Sequence, residues 1–132
     1  MILFIYGVMT NQAKYILYSG IKFANDKWDI KSNVKYFFSD SRDGFKTYAF
    51  FDPVNLEIHV YVKNRAVMDL VRSVCHEIWH CVQLESGKLD KSGKVQDIGG
   101  DIEDEANAKA GEIVKEFSYK FSHESGIDVY AI

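Results

Sequence analysis

Apolar and polar positions alternate along this chain with two distinct periods, and the period changes mark out its elements. Ala13, Ile16, Leu17, Ile21, Ala24 and Trp28 recur at helical spacing, so a first helix runs to about Trp28 with Thr10 or Asn11 as its cap. Three strand-like runs follow, Val34 to Phe38, Thr47 to Phe51 and Leu56 to Val62, separated by Ser39-Asp40-Ser41-Arg42-Asp43-Gly44 and Asp52-Pro53-Val54-Asn55. Both separators have turn chemistry, which predicts an antiparallel meander. In the third run Leu56, Ile58, Val60 and Val62 alternate with Glu57, His59, Tyr61 and Lys63, giving one buried face and one wet face. His59 falls on the wet face and reads as an ordinary surface residue.

A second helix is predicted from Asn64, its cap, to Glu85. Val67, Leu70, Val71, Val74, Ile78, Cys81 and Val82 lie on one arc, with Asp69, Ser73, His76, His80 and Gln83 opposite. Residues 86 to 94 are small and charged, so the stretch to Gly100 is a linker within the domain. Beyond it, Ile102, Ala106, Ala110, Ile113, Phe117 and Phe121 form the stripe of a third helix. The fold class is α+β, one domain over residues 1–132, with an N-terminal helix, a small antiparallel sheet and two later helices.

The opening Met1 to Met9 is apolar, yet it lacks a basic start and a cleavage site and is too short to span a bilayer. It is expected to be a buried terminal strand or packing segment. A hydrophobic content of 47% over 132 residues supports a real core, and 14% aromatic residues argue against disorder. The net charge of −3, without a basic stripe, makes nucleic acid a poor partner. Cys75 and Cys81, six apart on one helix, point roughly 120° apart and cannot bridge each other. Free thiols fit a reducing compartment, and a cytoplasmic location is expected. Cys75 reads as a small core residue rather than a ligand, and the lack of a C-x-x-C pair excludes a zinc ribbon.

The chemistry is concentrated in His76-Glu77-Ile78-Trp79-His80, an H-E-x-x-H run on the second helix. Residues four apart lie within about 40° on a helix, so both imidazoles leave one face and can grip a single ion. Glu77 is turned roughly 100° from His76 and is placed to serve water at an open coordination position, as a general base. Zinc held this way needs a third protein ligand. A metzincin would continue with glycine and a third histidine, where this chain has Gln83 and Ser86. The alternative is an acid on the third helix, and Asp101, Glu103, Asp104 and Glu105 are all available. Acids at a helix start also complement the helix dipole without any metal, which is the preferred account of Asp101.

With these motifs the chain resembles the gluzincin metallopeptidases of the zincin clan. His76-Glu77-x-x-His80 followed by Glu105-Ala106-Asn107-x-x-Ala110 is similar to the H-E-x-x-H and E-A-N-x-x-A segments of ImmA/IrrE-like proteins. The resemblance covers about residues 34 to 121 and implies a zincin-like fold, with zinc carried by His76, His80 and Glu105 and with Glu77 as base. Glu103 is the rival third ligand. Lys109 stands where many gluzincins place an Asp that orients a ligand histidine, so Asp101 or Asn107 would have to substitute. The function implied is zinc-dependent endopeptidase activity on a peptide or protein substrate, with no membrane or nucleic-acid partner. A non-proteolytic zinc-binding regulatory module of the same fold is the alternative. In such enzymes an extended substrate pairs with an edge strand before the active-site helix, here Leu56 to Val62, and a further donor serves the oxyanion; His123, Tyr119 and Tyr130 are the downstream residues available for that role, but none has a local motif and each reads as structural or exposed.

Overall fold

The computed structural model describes residues 1–41, 47–92 and 100–132. In chain order it contains β1 (Ile2–Tyr6), α1 (Asn11–Lys27), β2 (Lys35–Ser39), β3 (Ala49–Asp52), β4 (Glu57–Tyr61), α2 (Val67–Glu85), α3 (Asp101–Ser125) and a short 3-10 turn at Val129–Ala131. The α+β class of the sequence reading therefore holds at the level of its elements.

The sheet is mixed, not an antiparallel meander. Its strand order is β1-β2-β4-β3, with β1 parallel to β2, β2 parallel to β4 and only β3 antiparallel to β4. The turn signals place the chain reversals correctly but do not choose partners. β2 and β4 bring the best-buried alternating pairs, Tyr36 with Phe38 and Ile58 with Val60, and they take the middle. β3 ends at Asp52, whose carboxylate accepts the backbone N–H groups of Val54 and Asn55 around Pro53, and so a short strand occupies an edge. Residues 42–46 of the first separator lie outside the described residues. β1 pairs with β2 through the α1 crossover, and it too is an edge strand; Ile2 and Tyr6 are exposed, contrary to the expectation of a buried terminal strand.

The helices give the sheet its core. Thr10 caps α1 as expected, its Oγ1 accepting the Ala13 N–H at 3.1 Å. Ile16, Leu17 and Ile21 of α1 are buried with Val71, Val74 and Ile78 of α2 and with Phe38, Ile58 and Val60 of the sheet. Gly20 allows this approach, since a Cβ there would sit 3.0 Å from Val71 Cγ1. α2 begins later than the pattern predicted. Asn64 adopts a left-handed φ of 57° in the preceding turn, and Ala66, at the cap position, makes no side-chain cap bond. The partly buried Arg65 compensates by donating to Tyr61 O at 2.6 Å, to Asp69 Oδ2 at 2.7 Å and to Ser73 Oγ, which ties the end of β4 to the first turns of α2. Cys75 and Cys81 are buried free thiols on α2, as their place on the arc requires.

The opposite face of the sheet carries an unforeseen feature. Phe4, Phe37, His59 and Phe50 occupy successive register positions across the strands, with ring centroids 4.7–4.8 Å apart and planes within 11°. His59 is thus packed between two phenylalanine rings and contacts Glu57 Oε1 at 3.1 Å, which is a more enclosed setting than a surface strand position predicts.

Candidate metal centre

The polar line of α2 does not face open solvent. α3 packs along α2, and between them His80 and Gln83 are each 1% exposed while His76 is partly covered. Polar side chains on one helix face can be buried only where they find partners, and no buried side-chain nitrogen or oxygen among the described residues lacks one.

Glu103 completes the cluster. Its Oε1 lies 2.8 Å from His80 Nε2 and its Oε2 3.1 Å from His76 Nε2, while the two Nε2 atoms are 3.2 Å apart. Among the described residues these three form the one group of ligand-type side chains close enough to share an ion. Ligand atoms 2.0–2.1 Å from a tetrahedral zinc stand about 3.3 Å from one another, so the triad needs to open by only a few tenths of an ångström. Its donor set, two imidazole nitrogens and a carboxylate oxygen, suits a borderline divalent cation. Asn107 adds a side-chain hydrogen bond to His76, in the place considered for it from the sequence.

Glu105, which the resemblance implies as the third ligand, is directed elsewhere. Its Oε1 accepts from Trp79 Nε1 at 2.7 Å and from Gln83 Nε2 at 3.3 Å, and its Oε2 accepts from Lys88 Nζ at 3.0 Å. The geometry brings Glu103, the rival in the sequence reading, to the histidines, and not Glu105. The physical reason is helical phase. Residues 103 and 105 are turned roughly 200° apart, on opposite flanks of the Ile102–Ala106–Ala110 stripe. Gln83 is the polar partner whose role the sequence reading missed, although it was placed on the same helix face as the histidines. Its signal was its place three residues after His80, within reach on the same helix face; His80 Nδ1 and Gln83 Oε1 are 2.7 Å apart.

Glu77 is 6% exposed and lines the same cleft as the triad. Burial, reinforced by the negative charge of Glu103, pushes its carboxyl up to about 8. Burial together with the neighbouring His80 lowers the pKa of His76 against the pull of Glu103, favouring the neutral imidazole that binds metal. A cation set among these groups would offset the crowding of the two carboxylates.

The cleft measures about 840 Å³ and runs between α2, α3 and β3, with Phe50 and Phe51 on the strand side and Arg72 and Asn107 on the helix side. One further expectation is corrected here. β4, the strand expected to pair with substrate, is interior to the sheet, and it is β3 that lines the cleft as an edge. Tyr119, His123 and Tyr130 do not line it. Tyr119 stacks on His123 at the exposed end of α3, and the Tyr130 hydroxyl donates to Ser118 Oγ at 3.2 Å.

Among the described residues no helix is long and apolar enough to cross a membrane. Comparison with known protein families, curated proteins and solved structures yields no match. The metal-site geometry is compatible with an H-E-x-x-H centre, and the likeness to gluzincins rests on the sequence motifs alone.

Proposed function

We propose that the chain is a zinc-dependent endopeptidase in which His76, His80 and Glu103 hold the ion and Glu77 is the general base. The observation that carries this reading is the convergence of the two motif histidines and an acid from a separate helix on one point, with a second, buried carboxylate beside them in an open cleft. A zinc ion held there supplies Lewis acidity towards water and a peptide carbonyl.

The chain's own residues supply the rest. Glu77 takes the proton of the attacking water and passes it to the leaving amine; a cation held beside it would counter the burial and the Glu103 charge that raise its pKa, and so favour the ionised form that accepts a proton. An extended peptide aligns along β3, whose main-chain groups on the cleft side provide strand-type hydrogen bonds while Ala49 and Phe51, on the helix-facing side of the strand, offer apolar contact. Arg72 and Asn107, from facing helices, are the cleft-lining donors available to a developing oxyanion.

The test compares wild type with Glu77→Gln, each loaded with zinc and incubated with a mixed peptide library at neutral pH. New termini are read by mass spectrometry and zinc by elemental analysis. Cleavage should fall at least a hundredfold in the variant with zinc content unchanged. Equal cleavage by both proteins removes Glu77 from the chemistry, and no cleavage by either, with zinc present in both, transfers the assignment to a non-proteolytic metal-binding module.

A further inference from the structure

The geometry points to Gln83 and Glu105 as positioning residues that decide which nitrogen of His80 is offered to a metal. A neutral imidazole has one donor and one acceptor nitrogen, and a glutamine amide has a donor end and an acceptor end, so each can be placed either way round unless its neighbours forbid it. The neighbours of Gln83 do forbid it. Its Nε2 end faces two groups that only accept, Ile102 O at 3.0 Å and the Glu105 carboxylate at 3.3 Å, so the nitrogen must be there and the oxygen must point to His80. That oxygen stands 2.7 Å from His80 Nδ1, which must therefore carry a proton and donate it. Nε2 is left as the ligand atom, and it is the nitrogen that faces His76 and Glu103.

Glu105 anchors the arrangement from α3. Besides Gln83 it holds Trp79 Nε1 at 2.7 Å on α2 and Lys88 Nζ at 3.0 Å in the turn after α2. The carboxylate is thus clamped by three donors from one neighbouring stretch of chain, and the clamp fixes the amide of a side chain buried as deeply as His80 itself. An acid expected to bind metal directly instead acts two bonds of a hydrogen-bonded relay away. The consequence for metal affinity rests on the zinc reading proposed above; the orientation of His80 does not.

The experiment uses the full chain labelled with nitrogen-15 at histidine, as wild type, Gln83→Met and Glu105→Ala, in metal-free and zinc-loaded forms. The first substitution keeps the length of the side chain and removes the acceptor; the second removes the anchor from a partly exposed site. Wild type should show a His80 Nδ1–H resonance protected from solvent exchange in both forms. Gln83→Met should lose that protected signal and bind zinc tenfold to a hundredfold more weakly in chelator competition. Glu105→Ala should exchange the proton faster and bind about threefold more weakly. A folded Gln83→Met protein that retains the protected proton and wild-type zinc affinity overturns the inference. If that variant does not fold, an unchanged exchange rate and affinity in Glu105→Ala overturns it equally. Protection that depends on Gln83 in a wild-type chain that binds no zinc would sink the metal assignment and leave the positioning role standing.

Discussion

Exchanging the two acids of α3 one at a time separates ligand from anchor. Glu103→Gln keeps the size of the side chain but removes the charge that faces both imidazoles, at 2.8 Å from His80 Nε2 and 3.1 Å from His76 Nε2. Loss of a partner outside the ligand shell already weakens metal sites about tenfold to a hundredfold, so loss of one of three direct ligands should cost at least about a hundredfold. At about 1.4 kcal/mol per tenfold that is about 2.7 kcal/mol of binding free energy. Glu105→Gln is a smaller perturbation. Its carbonyl still accepts from Trp79 Nε1, and the ion pair it gives up, with Lys88, is exposed and worth no more than about 1 kcal/mol, or roughly fivefold. Zinc dissociation constants for the three proteins, from competition with a chromophoric chelator at one pH and ionic strength, should therefore rank wild type, Glu105→Gln, Glu103→Gln, with the last two separated by about twentyfold or more. The reverse order would return the ligand role to Glu105 and refute the geometric argument. Equal, small effects would show that neither acid holds the ion.

Two further consequences concern the scaffold. Gly20→Ala places a methyl group 3.0 Å from Val71 Cγ1 and 3.4 Å from Phe117 Cε2; Val71 is β-branched and stiff in a helix, so the variant should unfold at lower denaturant, destabilised by about 1 kcal/mol or more despite the better helix propensity of alanine, and a raised midpoint would contradict the packing described. Although partial burial opposes it, hydrogen bonds from Ser32 and Lys31 hold the Glu85 carboxyl below its ordinary value of about 4.5. The stabilisation from a depressed carboxylate is present above pH 4.5 and is lost as pH falls through its folded value, so Glu85→Gln should be less stable than wild type at pH 6 and the gap should close on acidification; a gap independent of pH would exclude this linkage.

How much of this was legible in the sequence follows from which interactions are local. Periodicity within one element found all three helices, the Thr10 cap and the strand runs at β2, β3 and β4, because the residues that decide those features lie within a turn or two of one another. The partnering of strands is non-local. Turn residues between β3 and β4 specify a hairpin, but nothing near β2 states that it will lie against β4 in parallel, a choice made by which strands best fill the space under the helices. The His59 ring stack was invisible for the same reason, since its members come from four separate strands.

The metal centre divides along the same line. Two histidines and a glutamate on one helix are fixed by helical geometry alone, so His76, Glu77 and His80 could be named with their relative orientations. The third position could not, because Glu103 and Glu105 flank the apolar stripe of α3 on opposite sides and the stripe says only which face is buried. Deciding between the flanks requires knowing on which side of α3 the histidine line of α2 passes, a property of helix crossing rather than of either helix. The motif resemblance chose the flank that carries Glu-Ala-Asn. The packing instead turns that glutamate toward Trp79, Gln83 and Lys88, and the residue two positions earlier toward the histidines. Both acids serve one histidine, His80, Glu103 at Nε2 directly and Glu105 at Nδ1 through Gln83, so the acid-rich start of α3 is organised around that imidazole from its two opposite nitrogens.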